Sequence, residues 1–321
     1  MDHVSFPYRA SAHLSVLHVI AESGSWEKHG VEVDYDRRIS STESHANITS
    51  GAVDFVGGNH VSPYGHVARG SDWVYIGQTI NAVNHRLCVT PDSGISGMSD
   101  LKEKKIVTRG SHPELNDWLF LKQNGLDVDR DDIEIINQLN IPKGEMDAVE
   151  GEESAYRDEK WEWVRTGKAD ATFLTPPKSI QAGNMGMKII EIDPLPMIHF
   201  TTLSTSRKFV ESHPDVVERF LKGLMEGIAF FKQEPEKTKK IIKARHTSEG
   251  LLDDGMVEIV YNELADALEP KLYPTLAAID NVYQEALRQD KEAATINPLS
   301  VWDLHYVKRL DDSGFVDSLY K

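Results

Sequence analysis

The protein has 321 residues, of which 40% are hydrophobic and 27% charged, and its formal net charge at pH 7 is −16. These proportions are those of a folded globular chain and exclude a disordered or fibrous one. So acidic a surface disfavours binding to nucleic acid or anionic lipid, and no apolar stretch approaches the roughly 18 residues needed to span a bilayer. With one cysteine, Cys88, the chain has no internal disulfide and no cysteine-rich metal module.

The first part of the chain alternates short strands with helices. Apolar and polar side chains alternate at 31–35, as they do in a half-buried strand. We predict further strands at 52–56, 73–76 and 87–90, and helices at 12–23, 43–50 and 63–68. Strands separated by helices need crossover connections, so the pattern predicts an α/β fold with mainly parallel sheets flanked by helices.

A second set of strands and helices follows. We predict strands at 105–108, 133–136, 171–174 and 188–192, and a helix at 112–124. The acid-rich stretch 143–165, which contains Trp161 and Trp163, is predicted to be an extended loop that leads into an amphipathic helix. A strand at 199–204 follows, and the remainder of the chain is predicted to be almost entirely helical.

This order of elements predicts two lobes. Residues 1–85 and 198–321 would form the larger, discontinuous lobe, and residues 86–197 the smaller one. The chain would cross between them twice, which makes a two-strand hinge beside a cleft. Ligands commonly bind in such clefts.

Four stretches mark the segments of this pattern. They are AESGSWEKHGVEV at 21–33, ITSGAVDFVG at 48–57, DLKEKKI at 100–106 and TGKADA at 166–171. In this order and spacing the chain resembles the type II periplasmic-binding-protein superfamily, in the NMT1/THI5-like and SsuA/TauA-like branch of sulfonate-, nitrate- and thiamine-precursor-binding proteins. The resemblance covers essentially the whole chain and implies the two-lobed fold.

The same stretches have a direct structural meaning. Gly30 and Gly51 are predicted to end helices, where a left-handed conformation costs glycine little. Asp54 and Asp170 precede predicted strands, where a short carboxylate can accept bonds from backbone N–H groups. Trp26 is predicted to cover one end of the core. These residues specify the lobes and identify no ligand.

The resemblance implies two functions. The first is a solute-binding protein of an ABC-type uptake system, with a permease as partner, that closes clamshell-fashion on a small anion (a carboxylate or sulfonate, with aromatic acids among the options). The second is a cytoplasmic enzyme on the same fold, a decarboxylase- or desulfinase-like lyase or a hydrolase acting on an aromatic acid. No export signal is visible at the N-terminus, so the expected location is cytoplasmic, or periplasmic or extracellular if a signal has been removed.

Ligands of open parallel sheets bind beyond the carboxyl ends of the strands, near helix N-termini. Residues at such positions are the candidate ligand-binding residues Arg9, His13, Ser41, Thr42, Gly58, Asn59, His60, Arg109, Ser111, His112 and Thr175. Arg9 and Arg109 fall one in each lobe, and a guanidinium suits a bidentate grip on a carboxylate or sulfonate. The alternative for both arginines is a surface salt bridge.

For several other candidates a purely structural role is the alternative to ligand binding. Ser41 and Thr42 either cap the helix that follows or share its N–H groups with an anion. Gly57 and Gly58 either let a ligand approach the backbone or form a tight exit from a strand. Cys88, within a predicted strand, is expected to be a buried, inert thiol rather than a nucleophile.

Eight of the 13 histidines lie at or before His85. If the chain is an enzyme, His45 or His60 is the candidate acid–base residue, with an arginine holding the acid group of the substrate. The alternative is that the histidines near cleft edges (His13, His45, His60, His66 and His85) only make hydrogen bonds at loop ends. No metal ligand set and no cofactor site is predicted.

The known enzymes of this fold do not transfer their activity to the chain. The desulfinase resembles the chain in its first two loops, and His45 falls near its functional histidine. Its nucleophilic cysteine, however, would lie at 7–13, where the chain has only Ser11. The lysine and histidine of the pyrimidine synthase correspond to Gly58 and Ser62, and residues 197–206 contain no cysteine.

Overall fold

The computed structural model of the protein describes residues 1–9, 13–108, 116–138, 159–245 and 253–321. The chain divides into two compact units, unit 1 (residues 1–82 and 196–321) and unit 2 (residues 83–195). The sequence placed these boundaries at 85/86 and 197/198. No helix in the described parts of the chain is long and apolar enough to cross a membrane.

Unit 1 begins with strands and helices in alternation and ends in a run of helices. Its elements are β1 (Asp2–Ser5), α1 (Leu14–Glu22), α2 (Ser25–Lys28), β2 (Val31–Asp34), α3 (Ser41–Ser50), β3 (Val56–Gly57), α4 (Ser62–Ala68), β4 (Trp73–Val83), β10 (Leu195–Ser206), α8 (Arg207–Ser212), α9 (Pro214–Gln233), α10 (Pro235–Arg245), α11 (Asp254–Ala267), α12 (Leu276–Gln289), α13 (His305–Asp312) and α14 (Phe315–Ser318). The chain passes between the units within β4 and β10.

Unit 2 alternates short strands and helices. Its elements are β5 (Arg86–Val89), β6 (Lys105–Thr108), α5 (Asn116–Gln123), β7 (Glu134–Asn137), α6 (Lys160–Arg165), β8 (Ala171–Leu174), α7 (Lys178–Asn184) and β9 (Lys188–Glu191). The predicted helix at the end of the acid-rich stretch is present as α6. The predicted loop before it falls at 143–158, outside the described residues.

The α/β fold class is confirmed, but the sheets are mixed and not mainly parallel. In unit 1, β1 pairs with β2 in parallel, whereas β10 pairs antiparallel with β3. In unit 2 the strand order is β7-β6-β8-β5-β9, and β5 is antiparallel to both of its neighbours. β5 is separated from its partner β8 by β6, α5, β7 and α6, so the alternation of strands and helices does not fix their relative direction.

The carboxylates before the strands bond as the sequence predicts. Asp54 Oδ2 accepts a hydrogen bond from the Ser5 backbone N–H at 2.9 Å, and Asp170 Oδ2 accepts one from the Lys105 N–H at 2.7 Å. Each carboxylate thereby joins the segment before one strand to a neighbouring strand. Gly51 ends α3 with a left-handed φ of 75°.

The core of unit 1 is built around α9. Phe220 on this helix stacks on Phe55 at 4.1 Å between ring centroids and on Trp26 at 5.9 Å, and all three side chains are buried. Gly223 lies one turn further along α9, against Trp26, and a Cβ built there would stand 2.4 Å from the indole Cδ1. Trp26 therefore lies within the core, against a helix that must carry glycine where it crosses the indole.

Candidate functional site

Three neighbouring strands of unit 1 end at one edge. Tyr8 continues β1 and forms parallel bridges with both Arg38 and Gly57, so the chain leaves β1, β2 and β3 side by side. Since β10 runs antiparallel to β3 with Leu203 opposite Gly57, its residues before Leu203 lie at the same edge. This carboxyl edge is where ligands bind in sheets of parallel strands.

Arg9 lies buried at this edge, with 8% of its surface exposed. Its Nε donates to Asn59 Oδ1 and its Nη1 to the Ile39 carbonyl oxygen, both at 2.6 Å. Asn59 Nδ2 in turn donates to the hydroxyl of Ser44 on α3. The segments that follow all three strands thus fix the plane of one guanidinium. Arg9 is buried, so the alternative of a surface salt bridge does not describe it.

Gly58 makes room for this arginine. Its φ is 113°, and a Cβ built there would lie 2.7 Å from Arg9 Cγ. The glycine is therefore required by the close approach of Arg9. Asn59 follows with a φ of 58°, a left-handed conformation that asparagine tolerates better than most residues. Its carbonyl oxygen accepts a hydrogen bond from Tyr75 Oη at 2.8 Å.

Histidines surround the next part of the edge. The His13 ring stacks parallel to Phe200 at 5.4 Å, and its Nδ1 lies 3.3 Å from Thr201 Oγ1. His60 Nε2 donates to the Phe200 carbonyl oxygen at 2.8 Å. His199 lies beside His60, with ring centroids 5.9 Å apart. The structure thus brings the predicted residues His13 and His60 together with two residues of β10.

Burial keeps two of these imidazoles neutral. It is the main cause that lowers the pKa of His13 well below its usual range, and His60, His199 and Arg9 lower it further. Burial also lowers the pKa of His199 to about 4. At pH 7 both rings are therefore neutral, while the Arg9 guanidinium keeps its charge. The edge favours an anion and offers neutral rings beside it.

The low pKa of His199 predicts acid sensitivity. Between pH 6.5 and about 4 the unfolded chain binds a proton at this residue and the folded chain does not, so stability falls as the pH falls. Between pH 7 and pH 5 the free energy of unfolding should fall by about 2 kcal/mol more in wild type than in His199→Gln. Urea unfolding at both values measures it, with the exposed His3→Gln as control; equal pH dependence in wild type and His199→Gln would contradict the assignment.

The hydroxyl that caps α3 is not one of the two that the sequence indicated. Ser40 caps this helix: its hydroxyl accepts from the Glu43 N–H at 3.1 Å, and Glu43 Oε2 accepts from the Ser40 N–H. Neither Ser41 nor Thr42 is the cap. The Glu43 carboxylate already stands at this helix end, which makes it a poor place for an anion. Thr42 is exposed.

His45 belongs to a separate cluster on α3 and α4. Its Nε2 lies 2.9 Å from Ser62 Oγ, which is 3.4 Å from Ser41 Oγ. Its ring stacks on His66 at 3.6 Å and contacts Trp73. His45 therefore packs among aromatic rings and serine hydroxyls.

Three of the four candidates in unit 2 lie outside the described residues, namely Arg109, Ser111 and His112. Thr175 directly follows β8 and is exposed. Cys88 is buried, and burial raises the pKa of its thiol to about 12, as expected for an inert side chain. His85 packs edge-on against Phe120.

The sequence missed His199, Phe200 and Gln78 as site residues. Gln78 is buried within β4, and its Nε2 donates to the His199 carbonyl oxygen at 2.6 Å. Phe200 has a φ of 61°. A glutamine directly after the apolar run 73–77 was the available signal for this contact, because a buried amide needs a partner.

The described residues contain no group of three or more His, Cys, Asp or Glu side chains arranged to hold a metal ion. A groove of about 650 Å³ runs along β1 and β2, where its lining includes the side chains of Glu32, Asp34 and Asp54. Its carboxylates would repel an anionic ligand. The Arg9 edge is the better candidate site.

Comparison with known proteins agrees with this architecture. The periplasmic aliphatic sulphonate binding protein SsuA from Escherichia coli superposes with a TM-score of 0.64 at 16% identity (90% of this chain, 92% of that one). The desulfurization enzyme DSZB gives 0.63 at 15% (98% and 99%). A Candida albicans protein described as having the generic periplasmic binding protein fold gives 0.58 at 14% (97% and 95%).

These likenesses establish the fold, which is that of periplasmic binding proteins. No curated protein sequence matches the chain significantly. The NMT1/THI5-like family model matches residues 13–238, which is more than half of the chain and includes the segments that carry His13, Asn59, His60 and Phe200. The chain belongs to the NMT1/THI5-like family.

Proposed function

We propose that the protein is a solute-binding protein for a small organic anion, a sulfonate or a carboxylate, and that the anion binds at the carboxyl edge of unit 1. The observation that carries this proposal is the buried Arg9, oriented by Asn59 and by the Ile39 carbonyl oxygen. A buried guanidinium whose plane is fixed in this way can give charge-assisted hydrogen bonds to an acid group.

Transport is the role that the family relationship favours. A structure of the same fold is that of a periplasmic sulfonate-binding protein, and we propose that this chain delivers its ligand to an ABC permease. Clamshell closure on the ligand is part of this proposal. It predicts that genes for a permease and an ATPase lie beside the gene for this chain.

The geometry favours binding over catalysis. A general acid needs a pKa near the working pH, whereas His13 and His199 are neutral at pH 7. His60 Nε2 is engaged by a backbone carbonyl, and His45 packs against His66 and Ser62. His13 and His199 are therefore not suited to donate a proton to a substrate at pH 7.

Calorimetric titration at pH 7 tests the proposal. A panel of alkane- and arenesulfonates and carboxylates is compared with neutral amides of the same size. At least one anion should bind with micromolar or tighter affinity. The neutral amide of the same compound should bind at least about tenfold more weakly, since the amide lacks the charge that Arg9 pairs with. Equal binding of anions and amides, or no binding of any anion, would overturn it; mass spectrometry after incubation tests whether the bound anion is consumed.

A further inference from the structure

Phe200 is held in a strained conformation at the carboxyl edge. Its φ of 61° is rare for a bulky residue, and such strain persists where the surroundings over-determine it, often at ligand sites. The carbonyl before it, that of His199, accepts from Gln78 Nε2 at 2.6 Å. Its own carbonyl accepts from His60 Nε2 at 2.8 Å.

Gln78, which fixes the first of these carbonyls, is itself immobilised. It is fully buried, and its Oε1 accepts from Thr202 Oγ1 at 2.6 Å. The peptide groups on both sides of Phe200 are thus held by side chains from other segments. The direction in which the Phe200 side chain leaves the backbone is set before any ligand binds.

Flat rings gather around Phe200. His13 is parallel to it, with 11° between the ring planes, and His199 lies edge-on at 6.1 Å. Phe200, His60 and His199 are each partly exposed, whereas His13 is buried. An aromatic surface therefore lies within reach of solvent. Arg9 lies near it, because Arg9 Cγ and His13 Cε1 stand 2.7 Å and 3.3 Å from the position of one and the same Cβ built on Gly58.

We infer that Phe200, backed by His13, is a stacking platform that selects anions carrying an aromatic ring, with the acid group of the ligand directed to Arg9. The inference rests on the proposed function, because it names the class of anion that the same site takes. Aromatic rings gain from offset or edge-on contact with another ring beyond the area they bury, and an alkyl chain has no such contact. A pre-oriented ring adds affinity because less freedom is lost on binding.

Calorimetric titration of benzenesulfonate and hexanesulfonate, both fully ionised at pH 7, tests the selection. Wild-type protein should bind benzenesulfonate about tenfold more tightly, the scale expected for one aromatic pair. Phe200→Leu should abolish this preference by weakening benzenesulfonate alone, and Phe200→Tyr should restore it. Phe230→Leu, at another partly buried phenylalanine, is the matched control and should leave both affinities unchanged.

The outcomes separate the two claims. If wild type binds hexanesulfonate as tightly as benzenesulfonate, or if Phe200→Leu weakens both ligands equally, the platform is wrong and the anion-binding function stands. If wild type binds neither these sulfonates nor any other anion of the panel, the proposed function fails, and the platform fails with it. Urea unfolding of Phe200→Leu and Phe200→Tyr verifies that both variants are folded.

Discussion

Gly223→Ala is expected to lower the free energy of unfolding by about 3 kcal/mol, at the upper end of what overpacking a core costs. The new Cβ would stand 2.4 Å from Trp26 Cδ1 and 2.9 Å from Trp26 Cα. The second of these atoms belongs to the backbone of α2, so rotation of the indole does not relieve the overlap. The helices α2 and α9 must move apart, and Phe220 and Phe55 lose contacts as they do.

Gly183→Ala is the matched control, since it makes the same change inside another helix, α7. The nearest atom to its new Cβ is Ile189 Cγ1 at 3.5 Å, an ordinary contact. Alanine favours a helix over glycine by up to about 1 kcal/mol, so this variant should be as stable as wild type or slightly more so. Urea unfolding followed by circular dichroism measures both; equal stability of the two variants would show that α9 does not depend on glycine at its contact with Trp26.

The parts of the fold that were predictable are those with a local signal. Asp54 and Asp170 each precede a strand, and each accepts the expected backbone hydrogen bond. The direction of β5 and β10 was not predictable in the same way. An apolar run shows that a strand is buried, but it says nothing about which neighbour the strand pairs with or in which sense.

The residues of the candidate site also differ in whether a local sequence signal marks them. Arg9, Asn59 and His60 could be placed at the carboxyl edge from the sequence because each follows a strand closely, and position after a strand is visible in the sequence. Phe200 was missed because it reaches the same edge by pairing across the sheet, about 140 residues after His60 in the chain. The role of Gly58 was open in the sequence, and only the distance to Arg9 Cγ shows which neighbour requires it.

Arg9→Gln should weaken binding of the sulfonate or carboxylate ligand about 100-fold, equivalent to about 2.7 kcal/mol. Glutamine keeps a polar side chain of similar reach but removes the charge, and charge-assisted hydrogen bonds are the strong ones at such a site. Arg9→Lys restores the charge without the planar fork, so an affinity between those of wild type and Arg9→Gln is expected. Calorimetric titration of all three proteins at pH 7 and low salt measures the series.

Loss of binding in this series must be separated from loss of structure, because Arg9 also holds Asn59 and the Ile39 carbonyl oxygen in place. Arg37→Gln is the matched control: Arg37 follows β2, is exposed, and its Nη2 donates a long 3.3 Å hydrogen bond to Ser5 Oγ. It removes the same charge from the protein, so the general field of the chain changes equally in the two variants. If folded Arg9→Gln binds as tightly as Arg37→Gln, the charge that the ligand recognises lies elsewhere and the Arg9 edge is not the anion site.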